Sequence, residues 1–306
     1  MRTINLGAVG LKVPAVAVGC WRMHEINKAK AGRFIKTALD LGANFFDHAD
    51  VYGRGACEEI FAEAIGMNAK IREKIYIQSK CGIRPGIAFD FSKKHILSSV
   101  DGSLKRLKTE YLDVLLLHRP DALVEPEEVA EAFGILQETG KVRFFGVSNQ
   151  NPMQIQLLTR YVKQPIVANQ LQLSIANCSM ISQGFHNNMQ DDFAVQRDGS
   201  VLDFCRLNDI TIQCWSPFQY GFVKGVFLDN PEFPELNAAI NKVAKKYSVS
   251  NTTITLAWLL RHPAKMQPLT GTMNAERLKD CIKAAEITIT REEWYAIFLA
   301  AGNILP

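Results

Sequence analysis

Eight short apolar runs alternate with helix-period segments from one end of this chain to the other, and few architectures tolerate that rhythm. The runs at 15–19 (AVAVG), 43–47 (ANFFD), 75–80 (IYIQSK), 112–118 (LDVLLLH), 143–148 (RFFGVS), 166–171 (IVANQL), 210–215 (ITIQCW) and 267–271 (QPLTG) read as strands. Between them KAGRFIKTALDLG (30–42), SKKHILSSVDGSLKRLK (92–108) and PEEVAEAFGILQETG (126–140) carry apolar residues at three-and-four spacing, as amphipathic helices do. Two more helical segments, 235–247 and 251–262, separate the last two strands. A leading piece, TINLGAVGLKVP, reads as two β arms around a glycine turn.

Eight strand–helix units in 306 residues predict an α/β fold, a (β/α)8 TIM barrel with an N-terminal β-hairpin, as one domain over 1–306. A doubly wound open sheet would announce a G-x-G-x-x-G after its first strand, and the chain has none. The segment 174–198 lacks a clear period and is long for a connection, so a functional loop is expected there.

In a barrel, chemistry gathers at the C-terminal ends of the strands. Those ends here carry Gly19, Cys20 and Trp21, then Asp47 with Tyr52 just beyond, Lys80, His118 and Arg119, Ser148 and Asn149, Gln170, Trp215 and Ser216, and Thr272. Asp47, Tyr52, Lys80 and His118 form a chemical set. A tyrosine is a weak acid, but a neighbouring ammonium favours its phenolate and lowers its pKa. Lys80 is placed to supply that charge, Asp47 to keep Lys80 charged, and His118 to donate a neutral N–H to a carbonyl oxygen. Such a group protonates an oxygen as it becomes an alkoxide, and a nicotinamide is the natural hydride source. No serine or cysteine is visibly paired with a base, and His24, His48, His95, His118, His186 and His262 show no metal-ligand spacing.

The stretch PLTGTMNAERLKDC (268–281) leaves a strand through a glycine-bearing turn and opens a helix. Backbone N–H groups at Thr272, Met273 and Asn274 can hold a phosphate there, with Arg277 about one turn further in. The alternative is a plain helix cap with a solvated arginine.

Taken together, these residues resemble the aldo-keto reductase superfamily. The family's D-T-A-x-x-Y-G corresponds to DHADVYG, its S-K strand end to QSKCG, its L-D-x-x-x-x-H to LDVLLLH, and its G-V-S-N to Gly146 through Asn149. The N-Q pair is Asn169 and Gln170, and the aromatic-Ser-Pro resembles Trp215, Ser216 and Pro217, followed by Gly221 and Gly225. The resemblance implies catalysis by Tyr52, Asp47, Lys80 and His118. It also implies NADP(H) held by Gly19, Cys20, Trp21, Asp47, Ser148, Asn149, Gln170, Trp215, Ser216, Pro217, Gly221, Gly271, Thr272, Met273, Arg277 and Asp280. Two departures stand out: His48 replaces a common Thr, and Gly271 a common Lys, which leaves Arg277 to argue for NADP.

Trp21, Tyr52, His118, Arg119, Phe218, Tyr220 and Phe222 are expected to wall the pocket for a small carbonyl substrate, unless the aromatics pack in the core and Arg119 pairs at the surface. The short tail GNILP can reach the rim but forms no long specificity arm.

Composition excludes other roles. Thirty-five basic residues against 31 acidic, scattered along the chain, resemble neither a nucleic-acid stripe nor a membrane-binding face. No apolar run approaches the ~20 residues of a membrane span. The seven dispersed cysteines lack a C-x-x-C pair, which predicts a reducing, cytoplasmic setting without metal. A monomer is the default expectation. The rival reading is a nicotinamide-binding regulatory or redox-sensing subunit with little turnover.

Overall fold

The N-terminal arms pair first. In a computed structural model describing residues 1–186, 200–221 and 224–303, β1 (Thr3–Leu6) and β2 (Leu11–Pro14) form an antiparallel hairpin. Its turn starts at Gly7, whose φ of 60° suits glycine and whose missing Cβ would stand 2.8 Å from Val167 Cα. Gly7 also donates its N–H to Thr211 Oγ1 at 2.9 Å. Val167 and Thr211 lie at strand beginnings, so the hairpin closes the N-terminal mouth of the barrel.

All eight apolar runs become barrel strands: β3 (Ala17–Gly19), β4 (Phe45–Asp47) and β5 (Tyr76–Cys81), then, beyond a small hairpin of β6 (Ile83–Arg84) and β7 (Ala88–Phe89), β8 (Leu112–Leu117), β9 (Val142–Ser148), β10 (Ile166–Gln172), β11 (Thr211–Trp215) and β12 (Gln267–Thr270). They pair in parallel in the order β10-β11-β12-β3-β4-β5-β8-β9 and close on themselves. Four strands start later than the sequence predicts, β5 and β11 by one residue and β3 and β4 by two. Ala15 N–H is taken by Arg2 of the hairpin at 2.9 Å, and Ala43 N–H closes the preceding helix on Ala38 O at 2.8 Å. The β6–β7 hairpin, too short for a periodic signal, was not predicted.

The helices form where apolar period and caps agree. Helix α1 (Lys28–Asp40) buries Ala31, Phe34, Ile35 and Ala38, and Asn27 caps it by accepting from Lys30 N at 2.9 Å, a bond of the kind worth about 1 kcal/mol. It is followed by α2 (Ala56–Ile65), the short α3 (Ala69–Arg72), α4 (Lys93–Leu107), α5 (Pro126–Glu138), α6 (Pro152–Thr159), α7 (Ser179–Ser182) and α8 (Val201–Leu207). The expected helix pair before the last strand is α9 (Pro234–Tyr247) and α10 (Asn251–Arg261); α11 (Ala275–Lys283) and α12 (Arg291–Ala300) end the chain.

Strand and helix layers meet through outward-facing residues. Phe145 of β9 stacks on Phe133 of α5 with ring centroids 4.1 Å apart, and Phe46 of β4 meets Phe61 of α2 at 4.9 Å. Burying each such ring contributes roughly 1.5–3 kcal/mol. Trp258 of α10 and Trp294 of α12 stack at 4.5 Å and exchange bonds: each indole N–H donates to the other's carbonyl, at 3.0 and 3.1 Å. No helix among the described residues is long and apolar enough to cross a membrane.

Part of the expected 174–198 loop is ordered as a Ser174–Asn177 bridge, α7 and a 3-10 turn at Gln183–Phe185, where Phe185 packs 5.5 Å from Phe298 of α12. Residues 187–198 of that segment, Phe222 and the last three residues of the tail lie outside the described residues.

Candidate active site

Side chains alternate across a strand, so the register of β5 points Lys80 into the barrel while Ser79 faces out and donates to Glu58 of α2 at 2.7 Å. Lys80 is fully buried. Its ammonium has three N–H groups and meets three acceptors: Asp47 Oδ2 at 2.9 Å, Tyr52 Oη at 3.0 Å and the His48 carbonyl at 2.7 Å. Asp47 comes from the end of β4, one strand away. Tyr52 opens a 3-10 turn (Tyr52–Gly55) in which Gly53 and Arg54 take positive φ, a tight corner that returns the ring over the barrel mouth. His118, just past β8, presents its ring edge-on to Tyr52, with centroids 5.8 Å apart at 81°. The four residues singled out from the strand ends are therefore brought together.

Their electrostatics follow from burial and from one another. Burial opposes the Lys80 charge, but Asp47 and Tyr52 outweigh it and hold the ammonium above its ordinary pKa. Burial, reinforced by the Lys80 and Arg119 charges, holds His118 well below its ordinary value, so the imidazole is neutral. Tyr52 corrects an expectation. Lys80 does pull the phenol down, but burial pushes it up, Asp47 adds to that, and the phenol ends above its ordinary value. His48, in the place of the family's common Thr, is neutral, with burial and Lys80 lowering its pKa to about 3. Its ring packs edge-on to Phe61 at 4.6 Å, neither ring nitrogen has a partner among the described residues, and its contribution at the site is its carbonyl.

Beneath Asp47 lies a feature that the motif reading missed. Asp47 Oδ1 accepts from Gln78 Nε2 at 2.6 Å and from Gln170 Nε2 at 3.1 Å. Both amides also donate to Gln213 Oε1, at 2.8 and 3.2 Å. Gln213 Nε2 donates to Gln78 Oε1 at 3.0 Å and to Gln267 Oε1 at 2.8 Å, and Gln267 Nε2 ends the chain on the Pro14 carbonyl at 2.7 Å. Gln78, Gln213 and Gln267 are fully buried. The signal was present: a period of two places Gln78 on the Lys80 side of IYIQSK and Gln213 on the Trp215 side of ITIQCW.

On the opposite side of the mouth, Ser148 Oγ donates to Gln170 O at 2.9 Å, Asn149 Nδ2 donates to Ser148 Oγ at 2.7 Å, and Trp215 Nε1 donates to Asn149 Oδ1 at 3.1 Å. Asn149 and Ser216 both take positive φ, at 57° and 50°. Arg119 is half-buried and stands 5.4 Å from the Trp215 ring centroid; burial pulls its pKa down and Tyr52 opposes that. Gly19 and Cys20 sit buried at the end of β3, and Trp21 is 44% exposed at the rim. Pro217, Phe218, Tyr220 and Gly221 continue from β11, with Ser174 Oγ donating to Gln219 O at 2.6 Å beneath them.

Past β12, Gly271, Thr272 and Met273 lead into α11, whose Asn274 cap accepts from Glu276 N at 2.9 Å and Arg277 N at 3.2 Å. Asn274 N itself donates to Thr272 Oγ1 at 3.1 Å, so of the three amides expected to face a phosphate this one is already engaged. Arg277 is exposed one turn into the helix and forms no ion pair with a described residue, and Asp280 follows on the next turn. His118 Nδ1, Gln172 Nε2 and Thr270 Oγ1 are buried polar atoms at the C-terminal strand ends without a partner among the described residues.

A closed parallel barrel with a buried Lys–Asp pair against a tyrosine and a neutral histidine at its C-terminal mouth suits the chemistry of an oxidoreductase of the carbonyl-reducing class. Comparison with known proteins agrees. The Aldo/keto reductase family profile matches residues 15–298, and the chain belongs to that family. It is 36% identical over 320 residues to YcsN, an uncharacterized oxidoreductase of Bacillus subtilis, covering 100% of both chains. It is 31% identical to a 6-dehydroglucose reductase of Novosphingobium aromaticivorans, over 99% of this chain and 96% of that one. Among solved structures, a thermostable aldo-keto reductase in complex with the inhibitor epalrestat superposes with a TM-score of 0.77 at 27% identity, over 98% of this chain and 100% of that one. Members of the family generally bind a nicotinamide cofactor.

Proposed function

We propose that this chain is an NADP(H)-dependent reductase of small aldehydes and ketones, working as a single domain, in which Tyr52 gives its proton to the carbonyl oxygen. The observation that carries the reading is the 3.0 Å hydrogen bond from the Lys80 ammonium to Tyr52 Oη, with Asp47 behind Lys80. As the carbonyl oxygen gains negative charge, Tyr52 protonates it and the resulting phenolate is stabilised at once by the adjacent ammonium. Because burial keeps the phenol protonated, Tyr52 is in its acid form across the neutral range. Neutral His118 donates an N–H to the same oxygen and orients the carbonyl.

The residues present suit a nicotinamide. Gln170 commits its Nε2 inward to Asp47 and Gln213, which leaves Oε1 as an acceptor for a carboxamide. Ser148, Asn149, Trp215, Ser216 and Pro217 line the same side. When bound, the ring supplies hydride to the carbonyl carbon. Gly271, Thr272, Met273, Arg277 and Asp280 would hold the adenosine end. Glu276, the acid nearest that turn, is tied to Lys279 at 2.9 Å, which leaves the exposed Arg277 guanidinium for a 2′-phosphate and favours NADP over NAD. The relatives named 6-dehydroglucose reductase favour a polar carbonyl in a pocket bounded by Trp21, Arg119 and Phe218. Seven buried free cysteines support a cytoplasmic setting, and a monomer is the simplest working unit.

The test follows loss of NADPH absorbance with aromatic, aliphatic, dicarbonyl and sugar carbonyls, beside Tyr52→Phe. Substrate-dependent oxidation that disappears in Tyr52→Phe, with NADPH binding retained, is the expected result. Surviving turnover overturns the assignment of the acid, and tight NADPH binding without turnover of any carbonyl overturns the reductase.

A further inference from the structure

The hydrogen bonds around Lys80 balance with nothing to spare. Three N–H groups meet three acceptors, one of which is Tyr52 Oη. That balance depends on Asp47 offering Lys80 a single oxygen. A carboxylate facing an ammonium in a buried site gains by turning both oxygens toward it, and a bidentate Asp47 would draw Lys80 away from Tyr52. What prevents this is the second oxygen's own engagement: Asp47 Oδ1 accepts from Gln78 and Gln170.

We propose that Gln78 is a positioning residue for the reaction: it occupies Asp47 Oδ1, keeps the Asp47–Lys80 contact to one oxygen, and so reserves one Lys80 N–H for Tyr52. The inference rests on the reading of Tyr52 as the acid. Gln78 is suited to the role because its amide has one permitted orientation, fixed from both ends of the layer. At one end the Pro14 carbonyl only accepts, so Gln267 must present Nε2 to it and Oε1 to Gln213. At the other end the carboxylate only accepts, so Gln78 must present Nε2 to Asp47. Gln213 between them donates twice and accepts twice, and no member of the layer is left with a mismatched contact. An amide flip at any glutamine would set donor against donor or acceptor against acceptor among buried side chains, at the cost of an unmade buried bond. The second donor to Oδ1, Gln170, is also the residue facing the nicotinamide side, whereas the Gln78 amide bonds only within the barrel.

The titratable groups facing Asp47 and Tyr52 are Lys80 of β5, Cys20 after β3, and His118 and Arg119 after β8. Of these, Lys80 is the one whose contact with the phenol Gln78 governs. Losing that contact makes Tyr52 a weaker acid.

The experiment compares the full-length parent, Gln78→Leu and, as a control that disturbs the same layer without touching Asp47, Gln267→Met. Two quantities are read: the pH dependence of kcat for reduction, and the ionisation of Tyr52 by ultraviolet difference titration against a Tyr52→Phe partner in each background. In Gln78→Leu the Tyr52 titration and the alkaline limb of kcat move together to higher pH by about half a unit or more, kcat falls about tenfold, and substrate KM stays within about twofold. Gln267→Met lowers thermal stability but leaves both midpoints in place. If Gln78→Leu melts earlier yet keeps the parent's titration and kcat profile, Gln78 is only core packing and the proposal is overturned. Should Gln78→Leu fail to accumulate folded, Gln78→Met, unbranched like glutamine, carries the same comparison. A parent that turns over no carbonyl overturns the reductase reading and with it the role of Gln78 in the reaction, and a phenol that still responds to Gln78→Leu shows that this failure lies in the reading and not in the Gln78–Asp47–Lys80 geometry.

Discussion

Lys80 Nζ lies 3.0 Å from Tyr52 Oη, and this contact places an ammonium held charged by Asp47 beside a phenol that burial makes a poor acid and that would be a poorer one without it. Lys80→Met keeps an unbranched side chain one atom shorter and removes the charge. Turnover in Lys80→Met is expected to fall about a hundredfold or more, the scale of lost general-acid assistance, with cofactor affinity measured by fluorescence quenching changed little. Equal losses in kcat and cofactor affinity would mean that Lys80 serves binding and not proton transfer.

The pH dependence of reduction should lack a histidine step. His118 is held neutral by burial and by its cationic neighbours, and the raised Tyr52 phenol stays protonated. Reduction is therefore expected to run level through the neutral range and to decline only beyond about pH 10, where a tyrosine ionises. Alcohol oxidation, which needs the phenolate, rises with pH over the same range. Initial rates in both directions across a buffer series check this, and an inflection between about pH 6 and 7 in reduction would assign His118 an ionising role.

Asp50, two residues before Tyr52, offers a stability test. Burial, with Glu58 adding to it, raises its pKa from 3.8 to about 7, and Oδ1 has no partner among the described residues. A carboxyl whose folded pKa is raised binds its proton in the folded chain across a window where the unfolded chain has released it. Stability from this group therefore declines as pH climbs from about 4 to about 7 and is level above that. Asp50→Asn removes the slope. Thermal melts should show the variant gaining on the parent by several degrees between about pH 5 and about pH 8. A constant difference would contradict the raised pKa.

Asp113 holds two arginines: Arg72 Nη2 at 2.6 Å, fully within the structure, and Arg143 Nη1 at 3.1 Å, while both guanidiniums cover Tyr111 at 3.7 and 3.9 Å. Asp113→Asn leaves Arg72 buried without its counter-charge, which costs about 3–5 kcal/mol. Urea unfolding would register that loss as a lowered midpoint. Replacing the pair together, Arg72→Met with Asp113→Leu, should recover much of it.

At the far end of the chain, Trp294→Ala removes the 4.5 Å stack on Trp258 and the bond from the Trp294 indole N–H to the Trp258 carbonyl, while the backbone carbonyl at 294 stays as acceptor for the Trp258 indole. A cost of about 3–5 kcal/mol is expected, read as early exposure of α12 in hydrogen exchange. Uniform exchange throughout would show that α12 is held by other contacts.

The alternation of apolar runs determined the barrel, because eight parallel strands buried on both faces and joined by amphipathic crossovers have one economical closure. The same local logic delivered Asp47, Tyr52, Lys80 and His118, since a strand end that turns polar is visible without any knowledge of its neighbours. The hairpin plug and the helix pair before β12 were legible for the same reason, being set by turn residues and period. What only the tertiary structure decided is how those groups act on one another. The net pKa of Tyr52 depends on how much burial outweighs Lys80, and burial is a property of the closed barrel and not of the motif. The glutamine layer joins residues 31, 123, 135, 54 and 253 positions apart, and a strand amide says nothing by itself until closure brings these side chains into a single buried space. A period of two tells which face a side chain takes; the partner it meets there is settled by the shear and closure of the sheet.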